Sequence, residues 1–496
     1  MKHIVVAIVA LVCVVTHANL NPQLMSTISV KNIAITSTVA TWPGSDSPAL
    51  LTTTYAAFGK TPVSYISDLK ALSSTQKSPQ VDLITEDLLW TNYIDAAPAE
   101  IGAHVVATAG GFLVPGRQTG TIDLFDMSDP STPIQTKVST DKKGWFYHKL
   151  VWYDMNGDGK LDIVAARATV PMSPFAKPAG ELIWLEQPSS GSIINNGTST
   201  DATAWNEHVV VAGPDVDFIM EDLDGDGTAE VIATQFFSAE ILAIYKCAET
   251  TWSKCGNDTV SRIVIDDKVG PFFTVKRVDL NMDGTPDLLV TNNQADGTGA
   301  LFAFEQPADI NDKWTRRTLA SGFKPYPSII PSPGKHSKGS PGTALAFHIE
   351  TSKKGEEKPQ ILMSGDDGGF ISLLRPTSSV ATDWEYSNEY ICNSTGTMGQ
   401  PSFIDIDGDG LTEIFLPFYS EGKIEVYNFT TAPSTPIKSE CVICLAKEAS
   451  EFCYKDNQCH VVGSPYNPCS VQECTSTWSK STKCACTSCN DAACHA

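Results

Sequence analysis

The chain is punctuated by apolar and β-branched runs of three to six residues, each closed off by Gly, Pro, Asn or Asp. Runs this short predict strands, because a helix would show apolar positions every three or four residues over a longer window. Residues 150–153 and 163–166 form one such pair, and the same pairing returns at 218–221 and 231–233, at 275–278 and 288–290, and at 403–404 and 414–416. A further run of alternating character closes each of these units, at 181–185, 241–245, 300–304 and 423–427. The expected class is all-β, and the pattern is a repeat.

Between the paired runs stands one acidic hairpin, written four times. It reads Asp154-Met155-Asn156-Gly157-Asp158-Gly159-Lys160-Leu161-Asp162 in the first case. The others carry Asp222, Asp224, Asp226, Gly227 and Glu230; Asp279, Asn281, Asp283, Gly284 and Asp287; and Asp405, Asp407, Asp409, Gly410 and Glu413. From Asp154 through Asp222 and Asp279 to Asp405 the steps are 68, 57 and 126 residues, the last about twice the mean of the others. A unit without the acidic marker therefore belongs at 344–376. Two more degenerate units precede the first loop, around residues 49–54 and 105–125. Seven units over residues 28–430 predict a seven-bladed β-propeller, with six or eight blades as alternatives, since a ring of blades leaves only short edges where a flat sandwich would leave long ones.

Oxygen ligands at loop positions one, three and five, with glycine at six for the sharp turn, are the arrangement that wraps a hard cation. Two bare carboxylates about 4 Å apart repel by roughly 4 kcal/mol at an effective dielectric of 20, so crowding three or four of them into a hairpin asks for a counter-ion. An EF-hand is excluded: position twelve is Ala165, Ala233, Val290 or Leu416 where a bidentate Glu is required, and the flanks read as strands. Position nine is acidic every time, as Asp162, Glu230, Asp287 and Glu413. This strand, Asp-x-Asp/Asn-x-Asp-Gly-x-x-Asp/Glu, strand unit resembles the FG-GAP and VCBS repeats of integrin α-chain propellers and of many secreted proteins. The resemblance implies about four Ca2+ sites, each with the side chains at positions one, three, five and nine. It adds a backbone carbonyl at position seven, on Lys160, Thr228, Thr285 and Leu411. The Phe-Gly and Gly-Ala-Pro words of the integrin version do not stand beside these loops.

The two ends differ from this body. Residues 4–15 are continuously apolar and lead to Thr16-His17-Ala18, which reads as a signal peptide over residues 1–18; a dozen apolar residues fall short of the roughly 20 a membrane span needs. Asn-x-Ser/Thr sequons at Asn196, Asn257, Asn393 and Asn428 suit a secreted, extracellular chain. A net charge of −22 argues against nucleic acid as a partner. Residues 19–430 hold the propeller with only Cys247, Cys255 and Cys392, while ten cysteines crowd between Cys441 and Cys494 after a linker at 431–440. That tail, residues 441–496, reads as a small disulfide-rich module, with zinc at Cys441, Cys444, Cys459 and His460 as the rival. Cys247 and Cys255 are placed to close a loop between neighbouring strands.

For function, no Gly-x-Ser-x-Gly, His-Glu-x-x-His or phosphate-loop pattern is present. His148 and His208 read as equivalent positions in adjacent repeats, hence structural, with a catalytic pair as the alternative. Asp366 and Asp367 sit in a glycine-rich turn, open to reading as a loop tip, a degenerate calcium loop or an acid/base pair. The leading expectation is an extracellular recognition or adhesion module for a protein or glycan partner, without catalytic residues. The alternative is a secreted carbohydrate-active enzyme, a lyase or dehydratase, on a propeller scaffold.

Overall fold

A computed structural model describes residues 20–56, 61–74, 79–111, 119–171, 175–196, 202–326, 338–430, 450–453 and 458–461. Within the compact unit Leu24–Asn428 the chain forms seven four-stranded antiparallel sheets. Blade 1 is Ile33–Val39, Ala49–Thr54, Val63–Ile66 and Asp82–Thr85; blade 2 is Thr91–Ala96, Val105–Gly110, Ile122–Asp126 and Ile134–Lys137. Blade 3 is Phe146–Tyr153, Asp162–Thr169, Ala179–Glu186 and Asn206–Ala212; blade 4 is Phe218–Glu221, Glu230–Gln235, Ile241–Cys247 and Val260–Asp266. Blade 5 is Phe272–Val278, Asp287–Asn292, Gly299–Glu305 and Thr315–Phe323; blade 6 is Ala344–Phe347, Gln360–Ser364, Phe370–Pro376 and Tyr386–Asn393. Blade 7 takes Ser402–Ile404, Glu413–Phe418 and Lys423–Thr430 and is completed by Asn21–Ser29 from the start of the chain.

The first strands of neighbouring blades touch one another around the ring, so they line its centre. Blades 7 and 1 meet there through Thr36, whose amide donates to the Gln400 carbonyl at 3.1 Å and whose hydroxyl accepts from Ser402 at 2.9 Å. Together with the N-terminal strand this leaves blade 7 no open seam. Second strands such as Glu230–Gln235, Asp287–Asn292 and Glu413–Phe418 are buried along their whole length, which explains their unbroken apolar runs. Fourth strands face water on the rim, and Asn206–Ala212 and Thr315–Phe323 are largely exposed. The alternating runs that the sequence reading placed at the ends of units are third strands, each followed by a more polar fourth. The hydrophobic core runs between blades: Met155, Val164, Ala166 and Leu182 of blade 3 pack with Phe218, Val231, Ala233 and Tyr245 of blade 4.

Cys247 and Cys255 form a disulfide that closes the connection between the third and fourth strands of blade 4. Cys392 is buried opposite Ile371 in blade 6 and takes no part in it. A separate hairpin pairs Ser450–Cys453 with Gln458–Val461. The expected signal peptide at 1–18, the linker at 431–440 and most of the cysteine-rich tail at 441–496 lie outside the described residues.

Candidate metal centres

All four acidic hairpins join the first strand of a blade to its second, in blades 3, 4, 5 and 7. They therefore emerge on the same face of the ring. Their backbone bonding is repeated almost atom for atom. The position-one carboxylate accepts from the amides of positions four and six: Asp154 from Gly157 and Gly159 at 2.7 and 2.8 Å, Asp222 from Gly225 and Gly227 at 2.7 and 2.9 Å. Asp279 does the same with Met282 and Gly284 at 2.7 and 2.9 Å, and Asp405 with Gly408 and Gly410 at 2.7 and 3.1 Å. The position-five carboxylate accepts from position seven, in the pairs Asp158–Lys160, Asp226–Thr228, Asp283–Thr285 and Asp409–Leu411, at 2.9, 2.8, 2.8 and 2.7 Å. Positions four and six carry positive φ, which glycine adopts freely and which Met282 adopts at φ 64.

Position nine is the buried end of each cage. Asp162, Glu230, Asp287 and Glu413 are only 1–2% exposed, and one oxygen of each accepts the amide of position two: Met155 at 2.9 Å, Leu223 at 2.9 Å, Leu280 at 3.2 Å and Ile406 at 2.9 Å. Among the described residues the other oxygens of Asp287 and Glu413 meet no hydrogen-bond donor, and each is placed to take a ligand. Burial pushes Glu413 and Asp287 up to about 7, against the lowering effect of that amide, and the other carboxylates of the loop push the same way. A divalent cation would reverse this balance. Ligand oxygens of Asp222, Asp224 and Glu230 lie within 4.8 Å of one another, as do those of Asp405, Asp407 and Glu413. The donor set is all oxygen and fits a hard cation.

Position two was not singled out from the sequence, yet it ties each loop to the next blade. Met155, Leu223, Leu280 and Ile406 are buried in the packing between blades. Three of their carbonyls accept from the following blade: Met155 from the Ser253 amide at 2.8 Å, Leu223 from Gln306 Nε2 at 2.9 Å, and Leu280 from the Tyr386 hydroxyl at 3.3 Å. The signal was present as a large aliphatic residue or Met at position two of every loop, between two oxygen-bearing side chains.

The other singled-out residues fall elsewhere. Asp366 and Asp367 lie in the turn between the second and third strands of blade 6, at the opposite end of the blade from the acidic hairpins, so a degenerate calcium loop is ruled out by placement. Asp366 accepts from Asn293 Nδ2 at 3.1 Å; its enclosure, and then the charge of Asp367, hold its carboxyl well above the usual range. His148 and His208 are not equivalent: His148 is on the inner strand of blade 3 and His208 on its outer strand, stacked on Trp184. Withdrawal from water pulls His148 down to about 4. Beside it on the inner ring, Lys149 and Lys276 clasp Asp217 at 2.6 and 3.1 Å. Burial alone would raise the Asp217 carboxyl, but the two ammonium groups hold it well below the usual carboxylate range.

No family model matches the chain, and no curated protein matches it either. Of the described residues, no helix is long and apolar enough to cross a membrane.

Proposed function

We propose that this protein is an extracellular recognition or adhesion module, a propeller of FG-GAP/VCBS type whose ring is stabilised by calcium in the acidic hairpins. The observation that carries the reading is the double duty of each loop: position nine closes the carboxylate cage while position two is packed into the next blade. A cation that fixes the cage thereby fixes a blade-to-blade contact. At about 1 mM calcium, sites of roughly 0.1–1 mM affinity each add about 0.4–1.4 kcal/mol, so the ions act as staples. The Cys247–Cys255 bridge and the sequon residues Asn257 and Asn393, both exposed, support an oxidising, secreted setting.

With staples on one face, partner binding belongs to the other, where loops on a rigid scaffold carry aromatic groups. Tyr55 stacks on Trp90 with ring centroids 5.1 Å apart, both half-buried, and the buried Phe236 and Phe237 pack with Phe273 in a layer of their own. A protein or glycan ligand suits such a surface. Binding of the secreted chain to arrays of glycans and cell-surface proteins tests this; a chain that binds neither refutes it.

One observation favours the second reading, a carbohydrate-active lyase or dehydratase. The carboxyl of Asp366 on that face is raised well above the usual range by its enclosure and by the charge of Asp367, the direction in which a general acid is tuned. Turnover of a polysaccharide that disappears in Asp366→Asn while the melting temperature stays unchanged would decide for the enzyme.

A further inference from the structure

The four hairpins share their backbone geometry but differ in the residue facing the cage from the third strand. Leu185, Tyr245, Phe304 and Tyr427 pair with the residue that follows the position-nine acid. The next residue along is Glu186 in blade 3, Lys246 in blade 4, Glu305 in blade 5 and Asn428 in blade 7. Two blades add an acid there, one adds a neutral amide, and blade 4 alone adds a cation. That ammonium is inside the cage: Lys246 Nζ bonds Asp224, lies 2.7 Å from Asp226 and reaches the buried Glu230 at 3.1 Å. It contacts three of the four side chains expected to hold the ion.

Among the described residues, the basic side chains of Lys160, His208 and Arg317 are engaged away from the loops. Lys160, itself a member of the blade-3 hairpin, donates to the Ser189 carbonyl at 3.0 Å. His208 pairs with Glu186 at 3.0 Å, and Arg317 pairs with Glu305 at 3.1 Å, each outside the hairpin proper. Where position three is Asn, at Asn156 and Asn281, the facing residue is Glu; where it is Asp, at Asp224 and Asp407, the facing residue is Lys or Asn. Blade 7 thus presents four carboxylates, and blades 3 and 5 present three in the hairpin beside a Glu paired with His208 or Arg317, whereas blade 4 presents four opposed by one ammonium in contact with three of them.

We propose that Lys246 is a built-in counter-cation that makes the blade-4 hairpin the weak calcium site of the four, because the ammonium must leave before a divalent ion enters. The inference rests on the calcium reading of the loops. A unit charge about 4 Å away changes cation affinity by at least about tenfold. The side chain leaves and returns by rotation of its own stem, so the hairpin holds a positive partner whether or not calcium is bound.

The test is a calcium titration of the full chain against a chromophoric chelator. The wild type is expected to bind three ions with similar affinity and a fourth at least about tenfold more weakly. Lys246→Met, which keeps the apolar stem, is expected to raise that fourth site to the level of the rest, and Lys246→Arg to leave it weak. Combining Lys246→Met with Asp222→Asn is expected to abolish the gain, which assigns it to blade 4. Four equal sites in the wild type, or a fourth site no tighter in Lys246→Met, overturns the proposal. Absence of binding in every variant overturns the calcium reading beneath it, and is distinguished by silence at all four sites.

Discussion

The indole nitrogen of Trp252 donates to the carbonyl of Ala229, position eight of the blade-4 hairpin, at 2.8 Å. The next amide, of Ser253, donates to Met155, position two of the blade-3 hairpin, at 2.8 Å. One short 3-10 turn, Trp252–Lys254, thus grips two acidic loops on adjacent blades. Trp252 is 1% exposed and packs in the apolar layer between those blades. Trp252→Ala is expected to cost about 3–5 kcal/mol, read as a lower denaturant midpoint, and to weaken calcium binding at blades 3 and 4 more than at blade 7.

That turn is enclosed by the Cys247–Cys255 bridge, with a sequence separation of 8. Replacing both cysteines by serine releases a loop of this size at a cost of about 2–3 kcal/mol in the chain-entropy account. Thermal unfolding of the double variant is expected at a lower temperature, and mild reduction of the wild type is expected to reproduce the shift.

Asp217 supplies a pH dependence of defined sign. Its folded carboxyl titrates below the ordinary 3.8, so its contribution is complete above that value and is lost as the pH falls through the folded one. Asp217→Asn is expected to flatten the acid limb of the stability curve. At neutral pH the variant leaves Lys149 and Lys276 without their partner, at a cost of about 3 kcal/mol. Urea unfolding between pH 2 and pH 7, a range set about the ordinary carboxylate value, checks both statements.

Met282 occupies a left-handed position that three sister loops give to Gly157, Gly225 and Gly408. Met282→Gly removes strain of order 1 kcal/mol, partly offset by the greater freedom of glycine in the unfolded chain. A small rise in melting temperature is expected, together with tighter calcium binding at blade 5.

The ring was legible in the sequence because its buried strands and acidic turns repeat at a steady interval, and Asp154, Asp222, Asp279 and Asp405 mark four inner strands directly. The outer strands were not, since Thr315–Phe323 and Tyr386–Asn393 carry Thr, Arg, Ser, Asn and Glu on a wet rim and show little apolar signature. Nor was the closure, in which Asn21–Ser29 pairs with Lys423–Thr430 across nearly the whole chain. Local patterns hold no information about such a distant partner. The cage residues were readable from spacing, but Lys246 was not, because it lies sixteen residues beyond Glu230 and reaches the loop only through strand pairing. His148 and His208 misled for the same reason: a similar place relative to an apolar run says nothing of inner or outer position.

Scanning calorimetry of the full chain, with calcium and then with excess chelator, tests most directly whether the hairpins staple the blades. A melting temperature several degrees lower in chelator is expected, restored when calcium is added back, with a summed effect of a few kcal/mol. Superimposable transitions in the two conditions would contradict it.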